Sequence, residues 1–240
     1  MPINHLTGRA IEGGIKQGIG KMINPGLSTE IIYSLVIIVC SLMIYFGTKE
    51  LYSLTKHKGI KYFRLSFLFF ALAYFFRSFI KIILLYFNKQ EIRTILPTFG
   101  NITLLIFVYF SVMAIFYLMY SVMHKKWEKQ STIYLFHIIA IIISIIMTLS
   151  GFPIQLYLIL NLALLLFIGF IIYTSYHQSK KKKSINLYII YILLSIFWIL
   201  NILDILIPNF FQTFQLFIYI ASIITFLTIL YKVLKKTGSN

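Results

Sequence analysis

Seven stretches of about twenty mostly apolar residues, separated by short polar breaks, make up most of this 240-residue chain. A helix of about twenty residues is as long as the hydrocarbon core of a bilayer is thick, about 30 Å. The stretches lack the polar–apolar alternation of barrel strands. We therefore predict an all-α, polytopic integral membrane protein with seven transmembrane helices, spanning residues 30–48, 62–87, 95–123, 132–150, 153–176, 185–207 and 210–231.

Composition supports the membrane class. The chain is 60% hydrophobic and 12% charged, whereas a soluble domain is roughly half apolar and about a quarter charged. The single cysteine, Cys40, has no intrachain disulfide partner and excludes a multi-cysteine metal site, and we expect no cofactor. The net charge of +16 lies mainly in short loops between apolar runs, so we expect no nucleic acid partner.

The basic residues predict an orientation. Fifteen lysines and arginines lie in the first, third and fifth loops and the C-terminal tail, against five on the other side. Because the excess marks the cytoplasmic side, we predict an outside N-terminus and a cytoplasmic C-terminus in the cell membrane. The cytoplasmic basic loops are expected to contact anionic lipid head groups.

The chain divides into a bundle and two tails. Residues 1–28 form a predicted extracytoplasmic tail with weak amphipathic spacing, interrupted by four glycines. Residues 29–236 form the bundle, and residues 237–240 end the chain. The short break at Gly151 and Phe152 predicts direct antiparallel packing of the fourth and fifth helices, and Pro97 is expected near the start of the third.

Two cations stand inside the second apolar run. Placing its outer end near Asn88 puts Lys81 about 10 Å and Arg77 about 16 Å below the membrane boundary. An unpaired arginine at that depth costs at least about 2.5 kcal/mol, so another helix should compensate it. We identify one acid inside a span, Asp204, and its depth favours pairing with Lys81 over Arg77.

Further polar side chains fall at similar depths in the outer half of other spans: Asn101, Asn161 and Asn201. Together with Arg77, Lys81 and Asp204 they predict an outward-facing polar centre of formal charge +1, which favours a carboxylate or phosphate ligand. One alternative is that these groups form interhelical hydrogen bonds that only hold the bundle together, and another is that they form a proton relay. His137, alone in the inner half of the fourth span, is interpreted as a packing histidine.

An enzyme is not expected. One acid cannot supply paired carboxylates, and no histidine or cysteine cluster has metal-ligand spacing. A retinal protein needs a lysine in the middle of its seventh helix, but Lys232 lies at the end of this one.

The hypothesis from the sequence is a receptor-like or sensory module that binds a small polar or anionic ligand and passes its signal to a separate cytoplasmic effector protein. A small-solute transporter using the same centre is the first alternative, and a structural subunit of a membrane complex is the second. Transport predicts that polar residues continue toward the cytoplasmic end, and few such residues are evident there in the sequence.

Overall fold

Eight α-helices account for nearly all of the residues that a computed structural model describes: 25–86, 89–127, 131–150, 154–182, 187–207 and 212–237. They are α1 (Pro25–Gly47), α2 (Lys49–Thr55), α3 (Lys58–Tyr86), α4 (Lys89–Met123), α5 (Ser131–Leu149), α6 (Ile154–Lys182), α7 (Leu187–Leu206) and α8 (Gln212–Thr237). All except α2 are long and apolar enough to span a membrane. The all-α class and the number of helices long and apolar enough to cross a membrane, seven, are confirmed, whereas membrane insertion and the orientation of the termini stay predictions. The amphipathic pattern predicted for the N-terminal tail falls on residues 1–24, outside the described part.

Six of the long helices form a closed ring in the order α1, α3, α4, α6, α7, α8, and α5 packs outside it against α4. The prediction that α5 packs directly on α6 is wrong, because the two share few close backbone contacts. Instead the ring of Phe116 on α4 contacts Phe136 of α5 at 4.9 Å and Phe167 of α6 at 5.9 Å. A residue of α4 therefore mediates contact between the two helices.

The faces of α1 show how a membrane helix sorts its residues. Tyr33, Ile37 and Ile44 recur at helical spacing and are at most 2% exposed, whereas the equally apolar Ile32 is 61% exposed. The buried face also carries small hydroxyl residues such as Ser34. Because both faces are apolar, small and polar residues mark the protein side better than hydrophobicity does.

Aromatic side chains fill the middle of the ring. Phe67 and Phe70 of α3, Phe197 of α7 and Phe226 of α8 are each at most 1% exposed. The ring of Phe226 lies 4.9 Å from that of Phe197 and 6.2 Å from that of Phe67. We call these four residues the aromatic layer; it separates the two ends of the ring.

The two ends are named here after a charged residue at each. At the Glu30 end α1, α4, α6 and α8 begin, and at the Arg64 end these helices finish and α3 and α7 begin. Several helices extend beyond the predicted spans at the Arg64 end, where α3 starts at Lys58, α6 runs to Lys182 and α8 to Thr237. The short helix α2 was not predicted.

The start of α4 also differs from the prediction. Pro97 was expected near a helix start, yet α4 begins eight residues earlier, at Lys89. A proline inside a helix removes one backbone hydrogen bond, so the first two turns of α4 continue despite that loss.

Candidate functional site

The guanidinium of Arg77 joins three helices at the Glu30 end. Its Nη2 lies 3.1 Å from Oε1 of Glu30 on α1 and 3.1 Å from Oδ2 of Asp204 on α7. Its Nη1 donates a longer hydrogen bond, 3.4 Å, to Oδ1 of Asn201 on α7. We call Glu30, Arg77, Asn201 and Asp204 the Arg77 cluster.

A second set of hydrogen bonds orients Asn201. Its Oδ1 accepts from the hydroxyls of Tyr74 at 2.8 Å and Tyr33 at 3.3 Å, and these hydroxyls lie 3.1 Å apart. Its Nδ2 donates to the carbonyl of Phe197 at 2.9 Å. The amide is therefore held with its oxygen toward Arg77, as a buried network needs if every member is to be satisfied.

Asp204 pairs with Arg77, the cation that its depth disfavoured, and the pairing with Lys81 stays a prediction. The depth argument compared helix positions, but a guanidinium can reach about one helical turn, ~5.4 Å, from the level of its own Cα. Lys81 lies on α3, and its side chain is outside the described part of the chain.

Sequence reasoning missed Glu30, which it placed at the edge of the first span. A signal was present, since Glu30 stands one turn before the buried Ser34 and eleven residues before the buried Ser41, on the same helical face. Two carboxylates therefore meet at one guanidinium, so the premise that only one acid lies in the spans is wrong.

The three charged groups of the cluster sum to a formal −1 rather than the +1 predicted with Lys81. Asp204 Oδ1 is buried and has no hydrogen-bond partner in the described part of the chain. Tyr219, whose ring stacks on Tyr33 at 4.9 Å, interacts with this carboxylate. Hydrogen-bonding capacity therefore remains on the α7 side of the cluster.

The other two predicted site residues differ in their placement. Asn161 of α6 is 5% exposed, and its side-chain Nδ2 donates to the backbone carbonyl of Tyr157. The backbone carbonyl of Asn161 accepts from Trp198 Nε1 at 3.1 Å. It lines, with Arg77 and Asn201, a cavity of about 30 Å³, room for one or two water molecules. Asn101 is exposed on α4 and lies outside this cavity.

His137 fastens α5 to the ring. Its Nδ1 lies 2.7 Å from the hydroxyl of Tyr109 and its Nε2 lies 3.0 Å from that of Tyr117. Because a neutral imidazole has one donor and one acceptor nitrogen, two phenols satisfy it completely. This geometry is that of a packing histidine.

At the opposite end, Arg64 is only 9% exposed although the sequence placed it in a basic loop. Its Nε donates to the carbonyl of Tyr45 at 3.0 Å, and its guanidinium lies over the rings of Tyr45 and Tyr52 at 4.7 and 5.6 Å. A carbonyl and two aromatic faces satisfy this cation.

At the Arg64 end the ring lines a cavity of about 370 Å³, which we call the basal cavity. Five of the six ring helices, all except α1, contribute to its wall, together with Thr48, α2 and the segments next to α3 and α4. Its polar lining residues are Thr48, His57, Ser121, His124, Ser175, Tyr191 and Thr237. Sequence reasoning missed it because its walls include the helix extensions beyond the predicted spans.

Comparison of the chain with protein-family models, with curated proteins and with solved structures gave no match. The functional argument therefore depends on the chain's own geometry.

Proposed function

We propose that the protein is a receptor-like membrane module that binds a small polar or anionic ligand at the Arg77 cluster. The supporting observation is that two carboxylates from different helices share one guanidinium nitrogen at equal distances. A ligand carboxylate or phosphate can replace one of them and make the same kind of charge-assisted hydrogen bond.

Glu30 is the partner that a ligand would replace. Its side chain is 15% exposed against 9% for that of Asp204, and it lies in the second turn of α1, close to the helix end. The 30 Å³ cavity beside the cluster is too small for a solute, so binding requires this exchange. Losing the Glu30 contact would remove the ion pair between α1 and α3 at this end of the ring, and a movement of α1 there is the proposed signal.

The test is a thermal-shift panel of small anions on the protein purified in an uncharged detergent. Acetate, succinate, glycine and inorganic phosphate are the probes. Arg77→Lys keeps the charge but loses the planar fork, and Arg64→Lys is the matched control on the same helix. We expect a probe that stabilises the wild type to lose its effect in Arg77→Lys and to keep it in Arg64→Lys. Equal stabilisation of both variants, or none of the wild type, contradicts the proposal.

A small-solute transporter is the second candidate, and the basal cavity favours it. The cavity supplies polar residues at the end of the ring where transport predicted them, and the aromatic layer and the Arg77 cluster close the other end. This arrangement is that of a bundle open at one end only, as alternating access requires.

Single cysteines separate the two candidates. Each variant carries Cys40→Ala and one new cysteine, Ser34→Cys for the Glu30 end or Ser175→Cys for the basal cavity. A membrane-impermeant maleimide is applied from each side, and the extent of cysteine labelling is measured. Adding Arg77→Gln should increase labelling of residue 34 in either case. A transporter predicts that labelling of residue 175 falls at the same time, whereas a receptor that does not translocate its ligand predicts no change there.

The proposal includes two kinds of partner at the Arg64 end: anionic lipids against the basic loops, and a separate effector protein. It does not include nucleic acid, because the basic residues lie mainly in short loops between apolar runs. It does not include catalysis, because both carboxylates of the Arg77 cluster are already paired with Arg77. A purely structural subunit would show altered stability in Arg77→Lys without any ligand dependence.

A further inference from the structure

The basal cavity has the size and composition of a ligand pocket. About 370 Å³ falls within the 300–1,000 Å³ typical of small-molecule sites. Apolar side chains form much of its wall, including Ile60 and Phe63 of α3, Ile190 of α7 and Val233 of α8. Such a wall accommodates a hydrocarbon chain.

One hydroxyl inside the cavity is available to a ligand. Ser175 is 6% exposed, lines the cavity and makes no hydrogen bond to the described part of the chain. The hydroxyl of Tyr191, by contrast, is paired with Ser121, and the hydroxyls of Thr48 and Ser121 donate to the carbonyls of Ile44 and Leu118. Since buried hydroxyls are normally hydrogen-bonded, Ser175 points to a bound polar group.

Two histidines contribute to the same lining. The rings of His57 and His124 lie 4.7 Å apart at a steep angle. His124 Nδ1 lies 3.0 Å from the carbonyl of Ser121, and since a carbonyl only accepts, Nδ1 carries the proton. Nε2 is then an acceptor in the neutral ring and a second donor in the charged one.

The charge around the cavity is strongly positive. Lys56 and Lys58 flank His57 in the sequence, and Lys125 follows His124. In the described part of the chain this end carries one acid, Glu50, against thirteen basic residues: Lys49, Lys56, Lys58, Lys61, Arg64, Lys125, Lys126, Lys180, Lys181, Lys182, Lys232, Lys235 and Lys236. Charge complementarity therefore selects an anion.

We propose that the basal cavity binds an amphiphile with a phosphate or carboxylate head group. The head group lies near His57, His124 and the neighbouring lysines, and the chain runs along Ile60 and Ile190. The hydroxyl of Ser175 binds an oxygen atom of the linkage between head and chain. This site lies at the end of the bundle opposite the Arg77 cluster and does not depend on ligand binding there.

The probes are phosphatidic acid, dodecyl phosphate, inorganic phosphate and phosphatidylcholine, each titrated against the full chain in an uncharged detergent. The readout is the shift in unfolding temperature, which a ligand of the folded state raises in proportion to occupancy. In the Arg77→Lys variant, which lacks the anion site proposed at the Glu30 end, we expect the first two probes to raise it and the last two to leave it unchanged. An equal effect of inorganic phosphate would assign the binding to the basic surface alone, and an equal effect of phosphatidylcholine would assign it to the apolar wall alone; either result overturns the proposal.

Matched variants locate the site. Ser175→Leu narrows the cavity and should weaken dodecyl phosphate binding at least about tenfold, whereas Thr174→Leu, on the adjacent position of α6, should not. Ser175→Ala removes only the hydroxyl and should weaken binding severalfold, which keeps the test if Ser175→Leu does not fold. His124→Gln should weaken binding, and His177→Gln on the exposed part of α6 is its control. Wild-type affinity in Ser175→Ala, or in both serine variants, refutes the site, while Arg77→Lys leaves this binding unchanged whichever way the Arg77 proposal is decided.

Discussion

Arg77 and Arg64 stand thirteen residues apart on the same helix, about 20 Å along its axis, and are satisfied in opposite ways. Arg77 is held by two carboxylates and an amide from two other helices. Arg64 is held by a backbone carbonyl and two tyrosine faces from the α1–α2 segment that precedes it. One cation therefore links distant parts of the chain, and the other links neighbours.

The difference determines what each end can do. In the proposed function a ligand replaces one of the two carboxylates bound to Arg77, whereas the carbonyl bound to Arg64 belongs to the backbone and cannot leave. The Glu30 end has two ion pairs at one guanidinium and little free volume, and the Arg64 end has a cavity and a fixed cation.

The largest effect is expected from Arg77→Leu, which leaves two buried carboxylates without their cation. Such a loss costs about 3–5 kcal/mol, and the midpoint of thermal or denaturant unfolding in detergent measures it. The triple variant Glu30→Leu, Arg77→Leu, Asp204→Leu removes the charges together and should recover most of the stability. A triple variant no more stable than Arg77→Leu would show that the ion pairs are not the cause.

Asp204→Asn should destabilise by about 1–3 kcal/mol, because Arg77 loses one of its two charged partners. Glu30→Gln should cost less than Asp204→Asn, since Glu30 is the more exposed acid. The same unfolding assay compares the two variants. The reverse order would identify Asp204, rather than Glu30, as the exchangeable partner.

Arg64→Gln should cost about 1–2 kcal/mol, from one hydrogen bond and two cation–π contacts. The cost is smaller than for Arg77→Leu because no described carboxylate is left unpaired. A loss equal to that of Arg77→Leu would remove the contrast between the two ends.

Gly59→Ala should have the smallest effect, a loss of about 1 kcal/mol. A Cβ at Gly59 would lie 2.8 Å from the carbonyl oxygen of Ser121, so α3 must move away from α4 at the basal cavity. Gly169→Ala, where a Cβ meets nothing within 4 Å, is the control and should be neutral or stabilise by up to about 1 kcal/mol. Equal unfolding midpoints for the two variants would mean that α3 and α4 can separate at the basal cavity without loss of stability.

The number of long apolar helices could be predicted from the sequence, because each apolar run is long enough to span a bilayer; the short helix α2 could not. Their neighbours could not, because Ile32 and Ile37 of α1 differ in burial and not in chemistry. In the site, the buried cation Arg77 required a partner on another helix, and Asp204 and Asn201 could be named because they lie at a similar depth in another apolar run. Glu30 was missed because it stands at the end of an apolar run, and Arg64 because its partners are a carbonyl and ring faces, which leave no charged residue to find.

The aromatic layer implies that the closed bundle is an electrical insulator. An ion leaving either end would meet Phe67, Phe70, Phe197 and Phe226, whose rings offer it no oxygen ligands and no space for its hydration shell. A change at one end can then reach the other only through movement of the helices relative to one another.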